Sequence, residues 1–260
     1  MYKNKTIATI IAVRLKSSRL PKKAIKKIGD LSSIELCIKN ALKFRHVDYT
    51  IVATSTSPQD EELSNYTYSK KVIFHQGHPE DVVQRYLDVV RKLKIDVIIR
   101  VTGDMPFISN EILQVLIKSH FKERADYTIG EEAAVGTNLE IINAAALEKV
   151  KSYFPSADYS EYMTWYFQNN PDYFKLNFVA LPKNLIRGYR LTLDHMEDLE
   201  MFNKIDKTLS ENNPDYELPE VFHYLDYHPE VVKINKHITL KYKTDGGLIA
   251  TLDRVTKINE

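Results

Sequence analysis

Along the first half of the chain, short apolar runs alternate with segments whose hydrophobic positions have helical spacing. Short apolar runs rich in β-branched residues predict strands at residues 6–13, 49–54, 71–75 and 96–101. Between them, apolar residues at helical spacing predict helices at residues 31–44, 58–65, 79–93 and 108–121. The first strand is apolar on both faces of its pleat, as a central parallel strand must be. The alternation predicts an α/β fold, a mainly parallel sheet with helices on both faces.

The second half of the chain has a less regular pattern. Its apolar runs predict strands at residues 126–130, 138–143, 174–180 and 190–193. Helical spacing follows at residues 159–169, from the last strand to residue 209, and at 219–227. Neither a linker rich in proline or serine nor an internal repeat divides the sequence. We therefore expect a single domain at residues 1–210, with a C-terminal helical arm and tail at 211–260 packed on it.

Composition narrows the classes of function. The chain has 260 residues, of which 43% are hydrophobic and 27% charged, with a formal net charge of +1. That balance argues against a nucleic-acid-binding protein, which usually carries a basic excess. No run approaches the roughly 18 apolar residues of a membrane span, and the first residues do not resemble a signal peptide, so we expect a cytoplasmic protein. The single cysteine, Cys37, lies on an apolar helical stripe and is predicted to be a core residue.

The loop after the first predicted strand is strongly basic. Ligands of parallel α/β sheets bind beyond the carboxyl ends of the strands, which is where this loop lies. Arg14, Arg19 and Lys23 can neutralise phosphates there while backbone amides cradle them. The loop lacks glycine, so it is neither a dinucleotide fingerprint nor a Walker loop. A solvated basic turn explains the residue types equally well.

Two aspartates follow other predicted strands. Asp104 follows residues 96–101 in a turn shaped by Gly103 and Pro106, and its carboxylate can either cap that turn or bind Mg²⁺. Asp194 follows residues 190–193 and has capping-box spacing with Glu197, yet it can also supply a second metal ligand. The histidines show no zinc-binding spacing.

Two arginines precede Asp194 in the sequence. Arg187 and Arg190 lie at the start of the strand predicted at residues 190–193. If they face the site, the molecule that binds there should be anionic. A basic surface patch is an equally good explanation of the pair.

Taken together, the motifs resemble the CMP-sugar-acid synthetase superfamily, in particular its spore-coat-polysaccharide type of cytidylyltransferase, related to CMP-Kdo and CMP-sialate synthetases. The family opening A-R-x-x-S-x-R-L-P-x-K corresponds to Val13, Arg14, Ser17, Arg19, Leu20, Pro21 and Lys23. Its E-D-V-x-x-R-Y stretch corresponds to Glu80, Asp81, Val82, Arg85 and Tyr86. Its R-x-T-G-D-x-P stretch corresponds to Arg100, Thr102, Gly103, Asp104 and Pro106. Its L-T-x-D-x-x-E-D-L-E stretch corresponds to Leu191, Thr192, Asp194, Glu197, Asp198, Leu199 and Glu200.

The resemblance covers roughly residues 5–210 and implies specific roles. It implies a nucleotidyltransferase-type, Rossmann-like domain in which Arg14, Arg19, Lys23 and Asp104 are catalytic. CTP would contact Val13, Arg14, Ser17, Arg19, Lys23, Arg85, Arg100 and Gly103. Asp104 and Asp194 would hold Mg²⁺, while residues 136–140 would bind the acceptor through Asn138 and Glu140, with Arg187 and Arg190 as further acceptor contacts.

The chain departs from the family pattern at several positions. Valine replaces alanine at Val13, and lysines stand where glycines are common, at Lys16 and Lys22. Asn138 stands where related proteins often have aspartate. Tyr162 replaces a histidine, and His195 and Met196 replace Thr-Pro. The later changes lie in the acceptor half, so the resemblance describes the reaction class better than the acceptor.

The resemblance implies transfer of CMP from CTP to a hydroxyl of a small acidic acceptor, a 3-deoxy-ulosonic or nonulosonic sugar acid. It also implies a homodimer, with neither nucleic acid nor a membrane as a partner. Two alternatives stay open. The same fold can use another nucleotide, or another acceptor such as a phosphonate or a polyol phosphate. The chain can also bind CTP without catalysis.

Overall fold

The computed structural model of the protein describes residues 2–258, apart from the side chain of Tyr242. Within these residues, one large sheet forms from β1 (Ile7–Ala12), β4 (Tyr49–Ser55), β5 (Ile73–Gly77), β6 (Val97–Thr102), β7 (Tyr127–Glu131), β8 (Glu140–Asn143) and β9 (Leu176–Ala180). A separate small hairpin consists of β2 (Lys27–Ile28) and β3 (Leu31–Ser32). The ends of the predicted domain and arm lie outside the described residues, namely Met1, Asn259 and Glu260.

The strand order of the large sheet is β5-β4-β1-β6-β8-β7-β9. β4 and β6 pair in parallel with the central strand β1, and β8 pairs antiparallel with both β6 and β7. The predicted mainly parallel sheet is therefore confirmed. Because β8 runs against its neighbours, its first residue, Glu140, lies at the edge where β1 and β6 end. This edge carries the residues described below.

The helices are α1 (Ser33–Ala41), α2 (Val82–Leu93), α3 (Asn110–Glu123), α4 (Ala144–Tyr153), α5 (Met163–Gln168), α6 (Met196–Ser210), α7 (Leu218–Tyr227), α8 (Pro229–Val232), α9 (Lys241–Thr244) and α10 (Gly246–Val255). Local chemistry determines where several of them begin. The Asp81 side chain accepts the backbone N–H of Gln84 at the start of α2, and Ser32 and Glu35 form a capping box at α1.

Helices cover both faces of the sheet, as predicted. Along β1, Ile7 and Ile11 belong to one buried cluster with residues of α1, α3 and α6. Ala8 and Ile10 point the other way, into a second cluster with residues of α2, α4 and α5. Successive side chains of a strand alternate between faces, so an apolar run is buried on both sides. Cys37 lies fully buried in the first cluster, which confirms its predicted core role.

The structure corrects several predicted elements. The helix predicted at residues 58–65 is a 3-10 helix, Pro58–Tyr66. The first helix begins at Ser33 because residues 31–32 pair with β2 instead. Helix α4 was missed, and the strand predicted at residues 190–193 reduces to an isolated bridge between Val135 and Arg190. At residues 31–32, strand pairing overrides the local helical pattern.

The chain after residue 210 packs on the rest of the molecule. Val221 and Phe222 of α7 join the same buried cluster as β1 and α6. Leu252 of α10 is fully buried, and the Asn170 side chain donates to the backbone carbonyl of Thr256 at 2.7 Å. Within residues 2–258, no helix is both long and apolar enough to cross a membrane.

Candidate active site

The two predicted metal ligands meet at one lysine. Nζ of Lys23 donates to the carboxylate of Asp104 at 2.5 Å and to that of Asp194 at 2.8 Å. Asp104 follows β6, whereas Asp194 lies two residues before the first residue of α6. A backbone hydrogen bond from Leu193 N–H to the Asp104 carbonyl, at 2.9 Å, ties the two segments together. Residues distant in sequence therefore share one small polar site.

The environment keeps this cluster charged. Burial raises the pKa of Asp104, but the charge and hydrogen bonds of Lys23, with a hydrogen bond from Thr102, outweigh it and lower that pKa overall. Burial lowers the pKa of Lys23, but the two carboxylates outweigh it and raise that pKa overall. The Asp104 carboxylate and the Lys23 ammonium are therefore both ionised near neutral pH.

The donor set suits a hard divalent cation. The two carboxylates already surround one cation, the Lys23 ammonium, so their oxygens face a common point. Mg²⁺ typically binds one or two carboxylates and completes its shell with substrate phosphates and water. Within residues 2–258, no group of three or more His, Cys, Asp or Glu residues is arranged to hold a metal. The pair therefore fits Mg²⁺ shared with a phosphate better than an all-protein metal site.

The two arginines of the first loop also bind carboxylates. Arg19 donates to Asp194 at 2.7 Å, so it joins the Lys23 cluster. Arg14 pairs with Glu161 and lies 3.7 Å from Glu80. Both arginine side chains are over a third exposed and are therefore accessible to a ligand.

A buried aspartate missed in the sequence holds this loop in place. Asp60 is 1% exposed and accepts the backbone N–H of Leu15 at 2.7 Å as well as the Ser55 hydroxyl. Its only sequence signal is its place in the acidic first turn of the helical segment that follows a buried strand. Within the loop, Ser17 accepts the backbone N–H of Leu20 at 3.4 Å, and Lys22 adopts a left-handed conformation with φ 54°. Ser17 thus shapes the loop through its hydroxyl.

Gly103 leaves room for the start of the loop. A Cβ on Gly103 would lie 2.7 Å from both Cβ and Cγ2 of Val13, closer than real contacts allow. The N–H of Gly103 donates to the carbonyl of Ala12 at 2.8 Å, which joins the carboxyl ends of β1 and β6. Val13 and Gly103 are thus brought together, and Gly103 immediately precedes Asp104 of the Lys23 cluster.

A second ion pair lies at the same edge of the sheet. Arg100 donates to Glu140 at 2.9 Å, with both side chains 11% exposed, and also to the backbone carbonyl of Glu161. Thr164 of α5 donates its hydroxyl to Glu140. Burial lowers the pKa of Arg100, but the neighbouring Glu140 outweighs it and raises that pKa overall. The arrangement fixes a carboxylate and a guanidinium beside the sheet edge.

The segment before Glu140 has a specific backbone geometry. Gly136 has φ +89°, and a Cβ there would lie 2.4 Å from backbone atoms of Leu191. Asn138 bonds both the N–H and the carbonyl of Gly130 through its side chain. Asn138 therefore fixes the turn rather than presenting a free amide.

Three predicted arginine contacts have partners inside the protein. Arg85 donates to the backbone carbonyls of His78 and Pro79, so it holds the turn after β5. Arg187 pairs with Asp226 of α7 and also donates to the backbone carbonyls of Lys183 and Ile186, so its bonds do not go to the two aspartates. Arg190 bridges Asp194 and Asp198.

The predicted capping role of Asp194 is corrected by the same network. Asp198 accepts the backbone N–H groups of Asp194 and His195 at the start of α6. The Asp194 carboxylate is instead taken up by Lys23, Arg19 and Arg190. The carboxylate of Asp194 thus faces the basic loop.

A cavity of about 740 Å³ opens beside the loop. Its lining includes Arg14, Glu80, Asp81, Lys151 and Glu161. This volume lies within the range of small-molecule sites. Charged groups thus line a space next to the Arg14 end of the loop.

Comparisons with known proteins identify the family. The family model "Cytidylyltransferase" matches residues 8–229. A spore coat polysaccharide biosynthesis protein, SpsF of Bacillus subtilis, is 30% identical over 230 residues, 86% of this chain and 95% of that protein. A 3-deoxy-manno-octulosonate cytidylyltransferase of Rickettsia prowazekii is 27% identical over 175 residues, 65% of each chain.

A solved structure shares the fold. A cytidylyltransferase from Leptospira borgpetersenii superposes with a TM-score of 0.80 at 23% identity, covering 91% of this chain and 99% of that one. The chain belongs to the cytidylyltransferase family and is a nucleotidyltransferase that uses CTP.

Proposed function

We propose that the protein transfers CMP from CTP to a hydroxyl of a small acidic acceptor, a 3-deoxy-ulosonic or nonulosonic sugar acid, with the aid of Mg²⁺. The observation that carries the proposal is the cluster of Lys23 with Asp104 and Asp194. It places two carboxylates against the basic loop that follows β1. Cytoplasmic location and a homodimer stay predictions of the sequence.

The basic loop would bind the triphosphate by exchange of partners. In the structure, Arg14, Arg19 and Lys23 are each paired with carboxylates. Phosphate oxygens compete for these cations and offer stronger, multidentate partners. Once the ammonium of Lys23 and the guanidinium of Arg19 turn to phosphate, the carboxylate of Asp104 and one oxygen of Asp194 would be released to hold Mg²⁺, while Arg190 keeps the other oxygen of Asp194. Mg²⁺ bound there would neutralise the α-phosphate and orient it for attack.

The chemical step is an in-line displacement. The acceptor oxygen forms a bond to the α-phosphorus, the bond from that phosphorus to the bridging oxygen breaks, and pyrophosphate leaves. The hydroxyl proton passes to solvent. Little covalent chemistry falls to the protein, so positioning and charge dominate. Arg14, Arg19 and Lys23 would bind the charge that develops on pyrophosphate.

The acceptor class is inferred from relatives and from the site together. One relative is a 3-deoxy-manno-octulosonate cytidylyltransferase and another a spore coat polysaccharide biosynthesis protein. In this chain, Arg100 and Glu140 offer a buried cation and a hydrogen-bond acceptor at the sheet edge. Such a pair can orient a polyhydroxylated acid. We therefore propose a sugar acid rather than a neutral sugar.

Pyrophosphate release provides the test. Wild type and Asp104→Asn are compared with CTP, Mg²⁺ and a panel of sugar acids. Asp96→Asn is a matched control, because Asp96 lies at the opposite end of β6 and bonds Lys5 and Thr6. Losing one fixed donor to a transition state costs about 10²–10³ in turnover, and loss of Asp104 should cost more because it also removes the metal.

Near-normal turnover in Asp104→Asn would remove this residue from the mechanism. The same assay with UTP in place of CTP tests nucleotide choice. If buried polar groups bind the cytosine base, turnover with UTP should be much lower than with CTP. Phosphonates and polyol phosphates in the panel test the alternative acceptors. CTP-dependent thermal stabilisation without turnover on any acceptor would instead favour a binding module.

A further inference from the structure

A second cavity lies away from the Lys23 cluster, under the C-terminal segment. Its volume is about 300 Å³, and it lies between residues 188–190 and the segment from 232 to 244. Val135, Val232, Ile238 and Leu240 form apolar walls. The lining contains no aspartate or glutamate within the described residues. A cavity of this size can hold a small metabolite.

The buried arginine that lines this cavity has a spare donor. Arg190 is 7% exposed, and its Nε and Nη2 donate to Asp198 and Asp194. Its Nη1 is buried and has no hydrogen-bond partner among residues 2–258. A planar guanidinium that uses its Nε–Nη2 edge on one side leaves Nη1 directed to the other side. A buried donor without a partner costs free energy, so a ligand that accepts from it is favoured.

Further positive charge surrounds the same cavity. Lys236 and Lys243 line it, both are exposed, and neither forms an ion pair with any described residue. The hydroxyl-bearing Thr239 and Thr244 also line it. Cations without carboxylate partners beside an apolar wall suit an anion attached to an apolar body.

We propose that this cavity binds a small organic anion, with its carboxylate or phosphate beside the guanidinium of Arg190 and near Lys236 and Lys243. The site shares no lining residue with the Lys23 cluster or with the Arg14 cavity. It is therefore separate from the proposed CTP site, although Arg190 connects it to Asp194. The proposal does not depend on the acceptor assigned above.

Calorimetric titration of the whole chain tests the site, with inorganic phosphate and pyruvate as separate probes. Phosphate tests whether the cavity binds a phosphate group, and pyruvate tests whether it binds a carboxylate. The test variant is Lys236→Ala/Lys243→Ala. The matched control is Lys207→Ala/Lys233→Ala, which removes the same charge from exposed lysines outside the cavity lining.

We expect at least one probe to bind wild type and the control equally, and the test variant about tenfold more weakly, as expected for loss of charge-assisted contacts. The probe that shows this effect identifies the anion class. Phosphate bound instead at the basic loop after β1 would be unaffected by the test variant. That result, or no binding of either probe at about 10 mM, well above ordinary metabolite affinities, would overturn the proposal.

Discussion

Replacing Lys23 with methionine separates the structural role of its ammonium from metal binding. The change keeps most of the aliphatic stem and removes the charge between Asp104 and Asp194. The two aspartate side chains are 21% and 9% exposed, so water screens them only partly. Without a cation between them, the two carboxylates repel each other.

The expected loss of stability follows from this burial. Removing one partner of a buried ion pair costs about 3–5 kcal/mol. Here the value should be lower, about 2–3 kcal/mol, because the site is partly exposed and Arg19 and Arg190 still contact Asp194. For a chain of this size, each kcal/mol lowers Tm by about 2–4 °C. Lys23→Met should therefore melt about 5–10 °C below wild type in EDTA.

Mg²⁺ should restore much of this loss if the two carboxylates form a metal site. In wild type the ammonium competes with Mg²⁺ for both carboxylates. In the variant this competitor is gone, and only Arg19 and Arg190 still hold Asp194. A ligand at about 100 times its Kd stabilises the folded state by about 2.7 kcal/mol. Thermal melts with and without MgCl₂, at matched ionic strength and near neutral pH, measure the difference.

Lys39→Met provides the matched control. The Lys39 side chain is also 17% exposed and pairs with Asp215, far from the proposed metal ligands in sequence. Its melting temperature should respond to Mg²⁺ as wild type does. If Lys23→Met shows no larger Mg²⁺ response than wild type or Lys39→Met, then Asp104 and Asp194 do not form a magnesium site.

Three further predictions test the surrounding structure. Burial lowers the pKa of His120 from 6.5 to about 4. The stability that the neutral imidazole contributes above pH 6.5 should therefore be lost as the pH falls, by about 3 kcal/mol near pH 4. In urea titrations across this range, His120→Gln should show a flatter dependence of the unfolding free energy on pH than wild type. Gly103→Ala should cost about 1–3 kcal/mol through its contact with Val13, and adding Val13→Gly should make the double variant more stable than additivity predicts. Arg190→Met should cost about 3–5 kcal/mol because a fully buried aspartate loses its partner, whereas Arg187→Met should cost under about 1 kcal/mol.

The sequence by itself determined the architecture and the position of the basic loop. Strands such as β1 and β6 are continuous apolar runs, and α2 carries its apolar residues on one stripe with an aspartate cap. These patterns report burial of local segments, so they can be recognised without knowing the partner. Once the strands are recognised, the basic loop and Asp104 are known to lie at the carboxyl ends of β1 and β6, because they follow these strands in the sequence.

Only the tertiary structure decided which charged groups meet. No local pattern indicates that Lys23 lies between Asp104 and Asp194, that Asp60 holds the loop, or that Arg187 binds Asp226. A charged side chain has many candidate partners of equal chemistry along the chain. Which one it reaches depends on how distant segments pack, and a sequence periodicity carries no information about that packing.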